Sequence, residues 1–320
     1  MKKKVVISAL LVVPAIISMI VFVSNYHVGV ARENVWAIGI YEGRSPFLFF
    51  EPPGIKNPVI SASDVTDVKA SFVADPFLIT KDSTWYMFFE VMNSLSNHGD
   101  IGLATSKDAV TWKYEKIVLD EDYHLSFPYV IRYNGDYYMI PESADAHQLN
   151  IYRAVEFPHK WEYVKTLLKG DFGDHGIIFH NNTWFLFAGS QPETHNTLRL
   201  YYSDSLFGIW KEHPLSPVVS DNADKARPGG RVIIWENKVI RYAQDCSPTY
   251  GKALKAFEIT RLTRTEYSEK ESIYNPVLKN SGKGWTRHGM HHLDAYKMDS
   301  RIWIGCVDGY YRQFIVKVDF

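Results

Sequence analysis

Residues Ser71–Val91 read SFVADPFLITKDSTWYMFFEV. Two apolar stretches, Phe72 to Ile79 and Trp85 to Phe89, flank Lys81-Asp82-Ser83. Aromatic and aliphatic side chains suit a pleated, half-buried surface, and Lys-Asp-Ser is turn chemistry. The stretch therefore predicts a β-hairpin. Four more stretches repeat the pattern: Ser126–Ser143, Asp174–Ser190, Arg227–Asp245 and His288–Asp308. Their turns fall at Asn134-Gly135, Asn181-Asn182, near Glu236-Asn237 and near Asp299-Ser300. Each copy opens on a polar or aromatic residue followed by Pro or Gly: Asp75-Pro76, Phe127-Pro128, His175-Gly176, Arg227-Pro228 and His288-Gly289. The second members are spaced by 52, 48, 52 and 61 residues. A period of about 50 residues with several short strands in each points to an all-β, five-bladed β-propeller. A β-sandwich or two stacked β domains is the competing architecture.

Outward from the hairpins, each repeat continues with a third strand, a short polar turn and a tryptophan. Trp112, Trp161 and Trp210 lie 49 and 49 residues apart, as packing anchors of the outer blade would. Val35–Tyr41 reads as a strand without a hairpin partner, and Gln313–Val318 is a strand at which the chain stops. The simplest arrangement lets the N-terminal strand complete the last blade, which closes the ring and removes an exposed edge.

Residues 1–26 fall outside that repeat. Lys2, Lys3 and Lys4 precede a 19-residue apolar run from Val5 to Val23, long enough to cross a hydrocarbon core. The lysines favour a cytoplasmic N-terminus. The expectation is a cytoplasmic tail and single-pass anchor over 1–26, with residues 27–320 a propeller on the extracytoplasmic side of the cell membrane. The 35 Lys+Arg against 36 Asp+Glu exclude a nucleic-acid face. Cys246 and Cys306 are too few for a disulfide framework and read as buried residues.

The inner strands of a propeller line a central funnel. Here they bring Asp75, Phe127, Tyr129, His175, Arg227 and His288, and the second-strand ends add Glu90, Glu142, Ser190, Asp245 and Asp308. Two carboxyls flanking a glycosidic bond can act as acid and as base or nucleophile. Asp75 is the expected ionised partner and Glu142 the expected proton donor, with Glu90 competing for that role and Asp245 adjusting their pKa values. Arg227 could hold a ligand carboxylate or phosphate. His291 and Asp294 extend the set. Strand alternation would send His291 and His292 to opposite faces, so histidines hydrogen-bonded to carboxylates are favoured over a divalent metal, and no cofactor is expected.

Several motifs carry a resemblance. Val73-Ala74-Asp75-Pro76-Phe77, Trp85 to Glu90, His124 to Tyr129, Met139 to Ser143, Arg227-Pro228-Gly229-Gly230, Gln244-Asp245-Cys246, Tyr250-Gly251 and His291-His292-Leu293-Asp294 resemble the N-terminal domain family of plant glucosamine inositolphosphorylceramide transferases. In the plant members a separate C-terminal glycosyltransferase domain carries the transfer, so that activity does not follow for the residues matched here. More distantly the chain is similar to the five-bladed arabinanase, xylosidase and levansucrase hydrolases. That likeness implies a first-strand aspartate, matched by Asp75, and a general acid for which Glu142 is an approximate match. It also implies a second inner aspartate, where this chain carries Phe127 and Tyr129. Three functions stay open: a membrane-anchored glycoside hydrolase or transglycosylase acting on a surface polysaccharide or glycolipid, a non-catalytic propeller that binds such a glycan, and a structural or protein-interaction propeller.

Overall fold

The computed structural model describes residues 27–299 and 302–319. Five sheets follow one another along the chain. Blade one is Ala70–Lys81, Thr84–Asn93, His98–Ser106 and Lys113–Leu119. Blade two is Ser126–Tyr133, Asp136–Glu142, Gln148–Glu156 and Lys160–Lys169, and blade three is Phe172–His180, Thr183–Ser190, Thr197–Ser203 and Lys211–Glu212. Blade four is Ile233–Trp235, Lys238–Asp245, Ala253–Leu262 and Tyr267–Glu271, with the short Leu278–Lys279 added to its third strand. Blade five runs Leu293–Lys297, Trp303–Asp319, His27–Ser45 and Leu48–Phe50.

The expected closure is therefore present, and the N-terminal segment supplies two strands of the last blade instead of one. The compact unit is Trp36–Tyr311. Residues 27–35 and 312–319 belong to a second unit, in which Arg32 lies 5.2 Å over the Phe314 ring and Arg312 Nε donates to Asn34 Oδ1 at 3.3 Å.

The hairpin turns form where turn chemistry puts them. Asp82-Ser83, Asn134-Gly135, Asn181-Asn182 and Glu236-Asn237 all have positive φ at both residues, the backbone that matches the twist of two-residue hairpins. The fifth turn, near Asp299-Ser300, lies partly outside the described residues. Apolar faces then pack blade on blade: Phe88, Leu103, Val130, Met139, Tyr152 and Trp161 share one core. Trp112 and Trp161 each donate their indole N–H to the carbonyl three residues back, Ala109 and Pro158, which is the packing role expected of them. Cys246 and Cys306 are buried and free.

The inner segments meet around the ring. Tyr129 of blade two donates to the Ile177 carbonyl of blade three at 2.9 Å. Gln244 of blade four donates to Asp174 of blade three. Leu293 N–H of blade five donates to the Gly229 carbonyl at 2.9 Å, and the Asp75 N–H of blade one reaches Asp308 of blade five at 3.1 Å. Gly230 makes the fourth-to-fifth approach possible: its φ is +147°, and a Cβ there would lie 2.0 Å from the Leu293 carbonyl oxygen.

One expectation is corrected. No helix among the described residues is long and apolar enough to cross a membrane; their helices are three single 3-10 turns of three residues each. The segment read as an anchor, residues 1–26, lies outside the described residues. The transmembrane helix, the membrane as a partner and the single-pass placement are not retained.

Candidate functional site

The site is built on bulges. In blade one the pairing steps from Ala74↔Glu90 to Phe77↔Phe88, which leaves Asp75 and Pro76 facing a single residue. Blade two steps from Ser126↔Glu142 to Tyr129↔Ile140 around Phe127 and Pro128. Blade three breaks between Phe172 and His175. Such an extra residue re-aims a side chain. Asp75 and Phe127 have φ of +52° and +46°, which costs a non-glycine residue about 1–3 kcal/mol unless its surroundings hold it. Asp308 holds Asp75 by accepting its N–H.

Asp308 is an organising acceptor. Besides the Asp75 N–H it takes the backbone N–H groups of His291 and His292, at 3.2 and 3.1 Å, and His291 Nδ1 at 2.8 Å. The far nitrogen of that ring, Nε2, lies 3.9 Å from Asp75 Oδ1. His292 approaches the same oxygen through Nδ1 at 3.6 Å, while its Nε2 donates to the Pro76 carbonyl at 2.8 Å. The two histidines thus converge on Asp75 instead of alternating. The reason is local: the strand begins only at Leu293, so a period of two does not govern the residues before it. Trp36 stacks on the His291 ring at 4.1 Å and Tyr250 meets it edge-on at 5.2 Å.

Beside this group Arg227 grips Asp174, Nε to Oδ2 at 2.7 Å and Nη2 to Oδ1 at 3.2 Å. Its Nη1 lies 3.0 Å from His195 Nδ1, and its guanidinium lies over the Tyr250 ring. Glu142 accepts Ser126 Oγ at 2.6 Å and the Ala144 N–H at 3.2 Å. Glu90 faces His124 Nε2 at 3.4 Å; His124 Nδ1 accepts the Gly99 N–H, so Nε2 carries the proton. Asp75, Glu90 and Glu142 retain 4, 5 and 7 % exposure, and Glu142 reaches a cleft of about 970 Å³ lined also by His147, Lys169, Ser190, Arg199 and Tyr201.

Burial and mutual repulsion sort these carboxyls. Burial pushes Asp75 well above the usual carboxylate range; the positive end of His291 opposes the shift, and Asp174 and Asp308 add to it. Burial and four surrounding carboxylates, Asp75, Glu142, Asp174 and Asp308, push Glu90 up in the same way. Glu142 is raised to about 7 by burial and then Asp174, against the bond from Ser126. Asp308 goes the other way: burial works against its charge, but His291, His292 and the Asp75 N–H hold it below its usual range. The assignment of Asp75 as the resting ionised partner is thereby changed, because its Oδ1 receives no hydrogen bond.

Asp75, His291 and Asp308 offer ligand atoms within 4.8 Å of one another. They do not suit a cation. The Asp308 lone pairs are taken by four N–H donors, and one of those donors is the His291 nitrogen itself.

The other expected residues divide. Asp245 pairs with Lys252 and Lys255 at 3.3 and 3.8 Å, and its neighbour Gln244 is the one bonded to Asp174. His175 packs against Phe127 and Tyr129, and His288 stacks on Tyr310. Tyr129 and Asp294 belong to a structural layer centred on Arg231, which bonds Asp294 through Nε at 2.7 Å. Asp174, Gln244, Arg231, Trp36, Tyr250, His195 and His124 are the functional-layer residues that sequence reasoning left out as site members. Asp174 had a signal: like Asp75 and Phe127, it stands seven residues before the first residue of its turn.

Comparison with known proteins agrees with this architecture. Solved structures of low identity share the fold. A glycoside hydrolase of Parabacteroides distasonis matches with a TM-score of 0.59 at 11% identity, covering 82% of this chain and 97% of that one. An alpha-L-arabinofuranosidase of Podospora anserina, in complex with cellotriose, matches with a TM-score of 0.54 at 11% identity, covering 83% and 95%. Two curated relatives are far nearer in sequence, both called Glucosamine inositolphosphorylceramide transferase 1. The Arabidopsis thaliana protein is 36% identical over 299 residues, 87% of this chain and 39% of its own length. The Oryza sativa subsp. japonica protein is 37% identical over 300 residues, 87% of this chain and 40% of its own length. The chain thus spans about two-fifths of these relatives. Residues 30–310 match the family model described as Glucosamine inositolphosphorylceramide transferase 1, N-terminal, and the chain belongs to that family.

Proposed function

We propose that the funnel is a carbohydrate site in which Glu142 gives a proton to a glycosidic oxygen while Asp75 acts as base or nucleophile. The carrying observation is Glu142: a buried carboxyl raised to about 7 that nonetheless borders the 970 Å³ cleft. A general acid works best with a pKa near the working pH, and a raised acid beside a second carboxyl is the arrangement glycoside cleavage uses. Water as acceptor makes the reaction hydrolysis; a sugar hydroxyl makes it transglycosylation. Two curated relatives are named for glucosamine and inositolphosphorylceramide, which points the substrate search toward the glycan of a glycolipid or a polysaccharide.

The test is release or transfer of sugar from purified glycolipids and polysaccharides, followed by mass spectrometry. Asp75→Asn and Glu142→Gln should each lower turnover by about 10²–10⁴-fold with ligand affinity largely kept. Full activity in Asp75→Asn would remove the assignment. One observation favours a second reading, a glycan-holding propeller without turnover: Phe127 occupies in blade two the bulge position that Asp75 occupies in blade one. Binding by the wild type with no product across the panel selects that reading.

A further inference from the structure

We infer that His291, steadied by Asp308, is the proton acceptor that turns Asp75 from a buried acid into a carboxylate. The inference rests on the reading of Asp75 as base or nucleophile. That reading leaves a difficulty, since an acid that keeps its proton can neither attack nor take a proton from water. The residues around Asp75 resolve it.

The hydrogen bonds fix the tautomers. His291 Nδ1 is bonded to the Asp308 carboxylate at 2.8 Å, so it carries a proton and leaves a lone pair on Nε2, the nitrogen 3.9 Å from Asp75 Oδ1. His292 donates Nε2–H to the Pro76 carbonyl and leaves a lone pair on Nδ1, 3.6 Å from the same oxygen. Asp75 Oδ1 and His292 Nδ1 have no hydrogen-bond partner. Two ring lone pairs therefore flank one carboxyl oxygen, an arrangement suited to a proton and not to a bare carboxylate.

The rings differ in what stands behind them. Behind His291 is a full negative charge that already accepts three backbone N–H groups. Behind His292 is a neutral carbonyl. An imidazolium is stabilised by the first and not by the second. In the transfer the Asp75 O–H bond breaks and an Nε2–H bond forms on His291; Nδ1–H stays with Asp308. The trio carries one net negative charge before and after, so the step adds no net charge to the buried site. The gap has to close by about 1 Å or be bridged by one water, as catalytic contacts in unliganded sites often do. The other charged groups around Asp75 do not change the choice. Arg227 largely offsets Asp174, and Glu90 raises the cost of any bare carboxylate, which strengthens the need for a neighbouring cation. Trp36 stacked on the ring keeps Nε2 aimed.

The test reads ring protonation directly and needs no substrate. Long-range proton–nitrogen spectra of histidine-labelled protein are recorded between pH 5 and 9. His291 should keep both ring protons to a pH at least about one unit higher in wild type than in Asp75→Asn, because the variant removes the anion on the Nε2 side. His292 should stay in its neutral Nε2–H form in both. Equal His291 midpoints, or a neutral His291 throughout in wild type, overturn the inference whether or not any glycan is cleaved. If a glycan is cleaved, His291→Gln should lower turnover about 10²-fold and move the rising limb of its pH profile upward; an unmoved limb overturns the inference while leaving Asp75 and Glu142 as the acting pair.

Discussion

Arg227 and Asp174 form a two-point ion pair, 2.7 and 3.2 Å, between blades four and three. The pair commits the edge of the guanidinium that sequence reasoning assigned to a ligand anion. It also sets the field felt by the carboxyls: Asp174 raises Asp75, Glu90 and Glu142, and Arg227 lowers Asp75 and Glu142.

Breaking a buried pair from one side strands a charge, at about 3–5 kcal/mol, whereas replacing both partners costs far less. Arg227→Met and Asp174→Asn should each lower the urea midpoint strongly, and the double variant should lose clearly less than the sum. Coupling of at least about 1.5 kcal/mol is expected for groups in direct contact. Additive losses would mean that the pair is not what holds the two blades here.

A second pair closes the ring. Arg231 bonds Asp294 through Nε and Nη2, gives Nη1 to the Val130 carbonyl at 2.8 Å and Nη2 to the Leu78 carbonyl at 3.2 Å. Asp294 returns to blade one by accepting the Leu78 N–H at 2.6 Å. Residues of four blades thus meet at one guanidinium, which also lies 5.4 and 5.0 Å over the Phe77 and Tyr129 rings. Arg231→Lys keeps the charge and loses the planar fork, so it is not conservative. A fall in stability of about 2 kcal/mol or more is expected by denaturant unfolding, with Arg231→Met losing about 3–5 kcal/mol. A change under about 0.5 kcal/mol in Arg231→Lys would show that charge alone suffices.

These contacts show what could and could not be read from residues. The hairpins were legible because turn chemistry and strand alternation are local, and Asp75 and Phe127 came with them. Asp174 was passed over because the repeats were aligned on Pro or Gly pairs; the turn is the better ruler, since the bulge lies a fixed count before it. Gln244 and Arg231 gave no local signal, as their partners Asp174 and Asp294 lie 70 and 63 residues away. His291 and His292 were misjudged because alternation was applied to residues that precede the strand. Asp245 and Gln244 are adjacent, and only the register of their strand decides which one faces the funnel.

Glu142 gives a pH signature that does not depend on turnover. Its folded pKa of about 7 lies above its unfolded value of 4.5, so the folded state binds that proton more tightly. The associated stability is fully present below about 4.5 and is lost as the pH rises through about 7. Its upper size is roughly 3 kcal/mol, from about 1.4 kcal/mol per pKa unit. Asp75 and Glu90 are raised as well and act with the same sign, so the wild-type slope alone does not isolate one group. The difference between wild type and Glu142→Gln does, because glutamine keeps the shape and accepts the Ser126 hydroxyl without titrating. Unfolding free energies from urea titrations at pH 5, 6, 7 and 8 should show wild type losing up to roughly 3 kcal/mol more than Glu142→Gln across the series. Parallel curves would mean that Glu142 is ionised in the folded protein at pH 5, and its role as the proton donor would fall with them.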